Sequence, residues 1–334
     1  MHQVLDRRAA LCTTPFARDV RRDLSATPKR LQAKYLYDAL GSALFEAICA
    51  LPWYRITRAE TRLIDKHADE IASLLADPVL VVELGPGSGA KLSRIARGLG
   101  VRSPRARLHL IDISSAALAT SARAVQTLAT VEVSTDRATF VAGLARLREV
   151  HRDGGNALVL LLGSNIGNFD HAASAALLSA IRASVGDHGW LLLGTDLVKS
   201  EAELLLAYDD PLGVTAAFNR NLLLRINREL GASFDLARFD HRAVWRPEDS
   251  RVEMHLVARA AHDVPIPGAG CVARFAAGES IWTESSHKYD QDDVVAMGRE
   301  AGFTPRRQWI DEDARFALTM FEADRADHAP RRAW

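Results

Sequence analysis

The chain of 334 residues is 48% apolar and 25% charged, the make-up of a globular protein large enough for one big domain or two modest ones. Lysine plus arginine and aspartate plus glutamate balance at 42 each, which removes the composition argument for nucleic acid or an anionic membrane surface as partner and favours a small neutral or zwitterionic one. Cys12, Cys49 and Cys271 lie far apart, without the paired spacings of a zinc site or a disulfide framework. The N-terminus carries charges where a signal peptide needs an apolar run, and no later stretch reaches the roughly 20 apolar residues of a membrane span. A monomer of the cytoplasm is the expectation.

Residues 1–25 are polar and Arg-rich, and a loosely held arm is expected there. Residues 30–54 repeat apolar side chains at helical spacing until Pro52 interrupts. Thr57-Arg58-Ala59-Glu60 reads as a capping box that opens a helix through about residue 75. After it, short apolar strands (79–84, 106–112, 130–135, 157–163, 189–196) alternate with amphipathic helices. That alternation indicates a doubly wound parallel sheet, whose two faces must both be covered by crossover helices.

From about 197 the pattern changes to two helices broken at Asp210-Pro211, followed by strand-like pieces with a hairpin turn at Pro247-Glu248-Asp249. This reads as a mixed α+β domain inserted in the first. The tail returns to a helix near 291–302 and an antiparallel pair that closes the sheet. The expected division is 61–196 with 289–334 for the sheet domain, and 15–60 with 197–288 for the mixed one.

Residues 80–91 read LVVELGPGSGAK, a strand ending in E-x-G-x-G-x-G and running into a helix. Gly85 and Gly87 let backbone pass close beneath a ligand, whereas a dinucleotide fold more often shows G-x-G-x-x-G. Asp112 ends the next strand, where a carboxylate can accept from both ribose hydroxyls of an adenosine, and Asp136 stands just past the third strand, in reach of an adenine. In LLLGSNIGNFD, Gly163 and Asn168 fall at the carboxyl edge of the fourth strand. Asn168 either orients an acceptor there or caps the following helix. Lys91 is either a ligand contact or a solvated first-turn lysine.

Taken in order, these stretches resemble the histidine Nα-methyltransferases of ergothioneine biosynthesis from about Tyr35 to Phe321. The likeness is carried by YDALGSALFEAICALPWYRITRAE, VELGPGSGAK, LLGSNIGN, LLGTDLVK, the run Ala207–Asp235, RVEMHLVA and FAAGESIWTESSHK. It departs from the family pattern at Arg55, Arg137, His287 and Tyr289. The resemblance implies a Rossmann-like methyltransferase sheet with S-adenosylmethionine held by Tyr37, Gly85, Gly87, Lys91, Asp112 and the Asp136 region. It also implies a mixed domain that binds an amino acid, with Tyr54, Gly163, Asn168 and Tyr208 around its amine and carboxylate. Glu284 and Ser286 would take an imidazole ring, with Met254 packed against it.

The implied reaction is methylation of the histidine α-amine, three times over, to hercynine, leaving S-adenosylhomocysteine and using no metal. Without the resemblance, Glu284, Ser286 and Met254 read as a strand with alternating exposed polar groups and a core methionine, and the tyrosines as core residues. Another aromatic amino acid such as tryptophan, a non-catalytic adenosine-ligand protein and a nucleotide-linked dehydrogenase are the other readings.

Overall fold

The computed structural model describes residues 14–75, 80–100, 106–126, 132–150 and 157–325. Residues 1–13, with Cys12, fall outside it, as do Val79, residues 130–131 of the expected third strand and 326–334 of the expected sheet domain. In chain order the first elements are α1 (Pro15–Leu24), β1 (Lys29–Arg30), α2 (Ala39–Ala50), α3 (Ile56–Leu74), β2 (Leu80–Leu84), α4 (Ala90–Gly100), β3 (Arg107–Asp112) and α5 (Ser115–Gln126). Next come β4 (Glu132–Arg137), α6 (Phe140–Val150), β5 (Ala157–Leu161), α7 (His171–Val185), β6 (Trp190–Asp196), α8 (Glu201–Tyr208) and α9 (Val214–Leu230). Last are β7 (Phe239–Arg246), β8 (Arg251–Ala258), β9 (His262–Ile266), β10 (Cys271–Phe275), β11 (Ser280–His287), α10 (Gln291–Glu300), β12 (Phe303–Asp311) and β13 (Phe316–Ala323). No described helix is long and apolar enough to cross a membrane.

Two compact units result, residues 1–54 with 199–286 and residues 55–198 with 287–334. The second holds a seven-stranded sheet in the order β12-β13-β6-β5-β2-β3-β4. Strands β4, β3, β2, β5 and β6 are parallel, and β13 and β12 add antiparallel at one edge. Strands β2 and β5 are buried along their whole length because helices cover both faces. Val82, Leu84, Val159, Leu161, Leu191 and Leu193 pack with Leu144 of α6, Leu177 and Ile181 of α7 and Val294 of α10. The alternate residues Val81, Leu158, Leu160 and Leu192 point to the opposite layer and are also fully buried.

The other unit is built on a four-stranded sheet, β1-β11-β8-β7, with β9 and β10 as a separate hairpin. Strands β7 and β8 pair antiparallel through the tight turn Pro247–Asp249. The break between α8 and α9 is made by Asp210, whose carboxylate accepts from the amides of Leu212, Val214 and Thr215 at 3.0, 3.2 and 2.7 Å. An aspartate that satisfies the first free N–H groups of α9 fixes the corner that Pro211 begins.

Four expectations need correction. Within 1–25, residues 15–24 form α1, capped by Thr14, whose hydroxyl accepts from the Ala17 amide at 3.1 Å, and Phe16, Val20 and Leu24 are buried. The stretch 30–54 is not one helix: Arg30 is in a strand beside Trp282, and α2 starts anew at the cap Asp38. Thr57–Glu60 is no capping box, since α3 begins at Ile56, flanked by Arg55, which makes no side-chain cap. Because α3 is one helix, residues 55–60 belong to the sheet unit. Asp136 lies within β4 rather than past it.

Candidate functional site

In the sheet unit, β2 is the first strand, β3 and β4 follow on one side, and the chain then crosses back to lay β5 on the other. The carboxyl ends of β2 and β5 therefore flank the point where strand order reverses, the place where open α/β sheets bind ligands. The glycine loop leaves the first of these ends and Gly163 the second. Gly85 has φ +72, and a Cβ on it would lie 3.0 Å from the Asn165 amide nitrogen and 3.2 Å from the Phe140 ring. Any side chain would strain that backbone and fill the space over the loop. The loop is held from below: the Gly85 amide donates to the Ile111 carbonyl at 2.9 Å and the Ser121 hydroxyl to the Gly87 carbonyl at 2.7 Å.

Glu83 sits in β2 with 1% exposure, and its Oε2 has no hydrogen-bond partner among the described residues. Burial pushes its carboxyl up to about 8; nearby Lys91 opposes the rise, while Glu60 and Asp112 add to it. A buried acid with an orphaned oxygen is unstable to ionisation until a cation or donor arrives. Asp112, at the end of β3, is half-buried and also raised by burial, against the backbone N–H groups of Ser114 and Ile113. Its Oδ1 accepts from the Ser114 amide at 2.7 Å. This cradle of glycines, an unsatisfied acid and a strand-end carboxylate fits an adenosine ligand that carries positive charge.

The other expected donor residues fare differently. Asp136 is held by a two-pronged pair with Arg146 of α6, at 2.8 and 2.7 Å, so its carboxylate is already engaged. Lys91 is no solvated lysine: its ammonium donates to Glu60 Oε2 at 2.6 Å, and a Cβ on Gly163 would lie 3.2 Å from Nζ. Asn168 is half-buried at the end of a short helical turn, and the cap of α7 is Asp170, which accepts from the Ala173 amide at 2.8 Å. The capping alternative for Asn168 is thus excluded.

In the mixed unit the structure groups the expected tyrosines. Tyr54 lies edge-on to Tyr208 with ring centroids 6.4 Å apart, and Phe45 links Tyr54 to Tyr37 at 6.1 and 5.6 Å. Phe218 of α9 completes the cluster at 5.5 Å from Tyr37. Tyr37 was expected with the donor residues; in this unit it belongs to the aromatic group around Tyr54. The Tyr208 hydroxyl donates to Ser286 Oγ at 2.7 Å in a buried contact. Its carbonyl accepts from His241 Nε2 at 2.8 Å, while His241 Nδ1 receives the Asn219 amide at 2.9 Å. A carbonyl only accepts and an amide nitrogen only donates, so this imidazole is neutral with its proton on Nε2. Burial favours the same state by lowering its pKa.

Glu284 is 8% exposed, Ser286 5% and Met254 2%. The Thr283 hydroxyl donates to the Met254 carbonyl at 2.8 Å, which brings β11 beside β8 at this level. A strand of alternating exposed polar groups does not describe β11, because Thr283, Glu284 and Ser286 are all buried.

Sequence reasoning missed Glu60, Asn165, Phe45, Phe218 and His241 as neighbours of these residues. Only Glu60 carried a usable signal. It stands within the stripe Ile56, Ala59, Leu63, Ile64 that α3 buries, an acid at a core position.

A family model described as a histidine-specific, S-adenosylmethionine-dependent methyltransferase matches residues 16–323. The histidine N-alpha-methyltransferase of Mycolicibacterium smegmatis is 38% identical and that of Mycobacterium tuberculosis 40% identical, each over 91% of this chain and 93% of the relative. Ergothioneine biosynthesis protein 1 of Neurospora crassa is 25% identical over 84% of this chain and 32% of that longer protein. With its glycine loop, strand-end acids and near-complete match, the chain belongs to the family of histidine-specific, S-adenosylmethionine-dependent methyltransferases.

Proposed function

We propose that the protein transfers methyl groups from S-adenosylmethionine to the α-amine of L-histidine, three in succession, giving hercynine and S-adenosylhomocysteine as a step of ergothioneine biosynthesis. The donor is assigned to Gly85, Gly87, Asp112 and Glu83, with Lys91, Asp136 and Tyr37 as further candidates. The acceptor is assigned to Tyr54, Tyr208, Met254, Glu284 and Ser286, with Gly163 and Asn168 as candidate contacts for its amine and carboxylate.

The burial of Glu284 carries the choice of acceptor. A carboxylate in a place with little water strongly favours a ligand that offers a ring N–H, because a charge-assisted hydrogen bond is strongest where water does not compete for it. Met254, adaptable and fully buried, suits a wall that sets ring size.

Methyl transfer is an in-line displacement. The amine first loses a proton, its lone pair then forms the N–C bond as the S–C bond breaks, and the sulfonium leaves as a neutral thioether. No Lewis acid is required, so the protein's share is alignment of a neutral amine with the methyl carbon. We take the chain to act as a monomer in the cytoplasm; the cytoplasmic part of the reading is supported by Cys12, Cys49 and Cys271, which lack the paired spacings of a disulfide framework.

The test is incubation with S-adenosylmethionine and a panel of amino acids, read by mass. Gains of one, two and three methyl groups on histidine are expected. Preferential turnover of tryptophan would move the assignment to an indole acceptor, and no methylation of any amino acid would favour a non-catalytic adenosine-ligand protein.

A further inference from the structure

Glu60 is wholly buried, yet it carries a carboxylate into the apolar stripe of α3. Both its oxygens lie 2.9 Å from the Gly163 amide, and Oε2 also receives the Lys91 ammonium at 2.6 Å. Space is made for it: a Cβ on Gly194 of β6 would lie 2.0 Å from Oε1, so only glycine fits beneath the carboxylate. Taking a carboxylate out of water costs several kcal/mol, and replacing a buried ion pair by apolar side chains is often neutral or stabilising. Stability alone therefore gives no reason for this arrangement.

Its position does. Lys91 lies in the first turn of α4, directly after the glycine loop that leaves β2, and Gly163 follows β5. One carboxylate thus ties together the two chain segments that flank the reversal point of the sheet. It also occupies the lysine's charge, while Glu83 keeps an oxygen without a partner among the described residues.

We propose that Glu60 is a positioning residue for the methyl donor: by anchoring Lys91 and the Gly163 amide it fixes the loops around the donor and keeps the Lys91 ammonium from settling on Glu83. A lysine released from Glu60 would compete there with a positive group of the donor, its α-ammonium, which S-adenosylhomocysteine retains. The inference rests on the assignment of the donor to the glycine loop and is independent of the acceptor.

The experiment is calorimetric titration of the intact protein with S-adenosylhomocysteine in the absence of any amino acid, for wild type, Glu60→Gln, Lys91→Met and the double variant. Glu60→Gln keeps the shape and loses the charge; it is expected to weaken binding about tenfold, less than the loss of at least about thirtyfold that follows when a buried charge pair touching the ligand itself is broken, because Glu60 acts through Lys91. The double variant is expected to bind like Lys91→Met, because Glu60 acts through that lysine. Histidine KM in Glu60→Gln should stay at the wild-type value while donor KM rises.

Unchanged donor affinity in Glu60→Gln, fully additive losses in the double variant, or a parallel rise of both KM values with a lower Tm would each overturn the proposal and leave Glu60 a structural residue. If Glu60→Gln does not fold, Glu60→Asp retains charge with a shorter reach and must still weaken donor binding. Wild-type protein that fails to bind S-adenosylhomocysteine would overturn the donor assignment itself, a result distinct from any difference among variants.

Discussion

The sheet unit and the mixed unit assemble their candidate residues by different means. In the sheet unit the frame is mostly backbone: positive φ at Gly85 and Gly163, amides at strand ends, and acids placed by the register of β2 and β3. In the mixed unit it is side chains, with aromatic rings from α2, α9 and the segments around them meeting Tyr208, and Ser286 of β11 closing the group. Backbone geometry tolerates few substitutions and accepts any ligand of the right outline. Side-chain geometry can be retuned one group at a time, so acceptor choice is expected to be the adaptable half of this enzyme.

The largest effect should come from breaking the backbone half. Gly85→Val places a β-branched residue at φ +72 against Asn165 and Phe140. A loss of S-adenosylhomocysteine affinity of about a hundredfold is expected, from left-handed strain and a blocked cradle together. Binding within a few-fold of wild type in a titration would show that the loop is not the donor's seat.

A smaller, selective effect should follow in the other unit. Glu284→Gln keeps the outline and removes the charge; histidine KM should rise about tenfold to fiftyfold, the cost of a lost charged hydrogen bond, with donor affinity unchanged. Steady-state kinetics with each substrate varied would check this. Equal losses for donor and histidine would erase the contrast between the units.

The smallest effect concerns pH. Glu83 ionises near 4.5 as a free group and is pushed up to about 8 by burial. The folded chain keeps that proton where an unfolded chain has lost it. The stabilisation is therefore complete below about pH 4.5 and disappears as pH rises through about 8. Glu83→Gln, neutral throughout, should shrink the fall in Tm between about pH 6 and about pH 9. An unchanged fall, measured by scanning calorimetry, would mean that Glu83 is ionised in the free protein.

Much of the sheet unit was legible in advance because its signals are local. An apolar run between helices specifies a buried parallel strand, and glycines at a strand end specify a close approach, whatever lies elsewhere in the chain. The errors were also local in origin. Thr57 and Glu60 have the spacing of a capping box, but a cap competes with burial, and Glu60 is drawn inward by Lys91 and the Gly163 amide, which no window around residue 60 contains. The polar residues 15–24 looked unstructured, yet Phe16, Val20 and Leu24 share one helical face and find a buried surface.

In the mixed unit, the family resemblance named Tyr54, Tyr208, Glu284 and Ser286, and nothing in their spacing did. Residues 208 and 286 share a hydrogen bond across 78 positions, a contact set by the fold and invisible to periodicity. By itself the sequence determined the alternation of strands and helices, the glycine loop and the strand-end acids, because backbone preference and burial act over a few residues. Only the tertiary structure decided which charges are spent on each other. Lys91 on Glu60, Asp136 on Arg146 and the orphaned oxygen of Glu83 depend on which distant groups share a space without water, where a single partner determines whether a charge is held or left waiting.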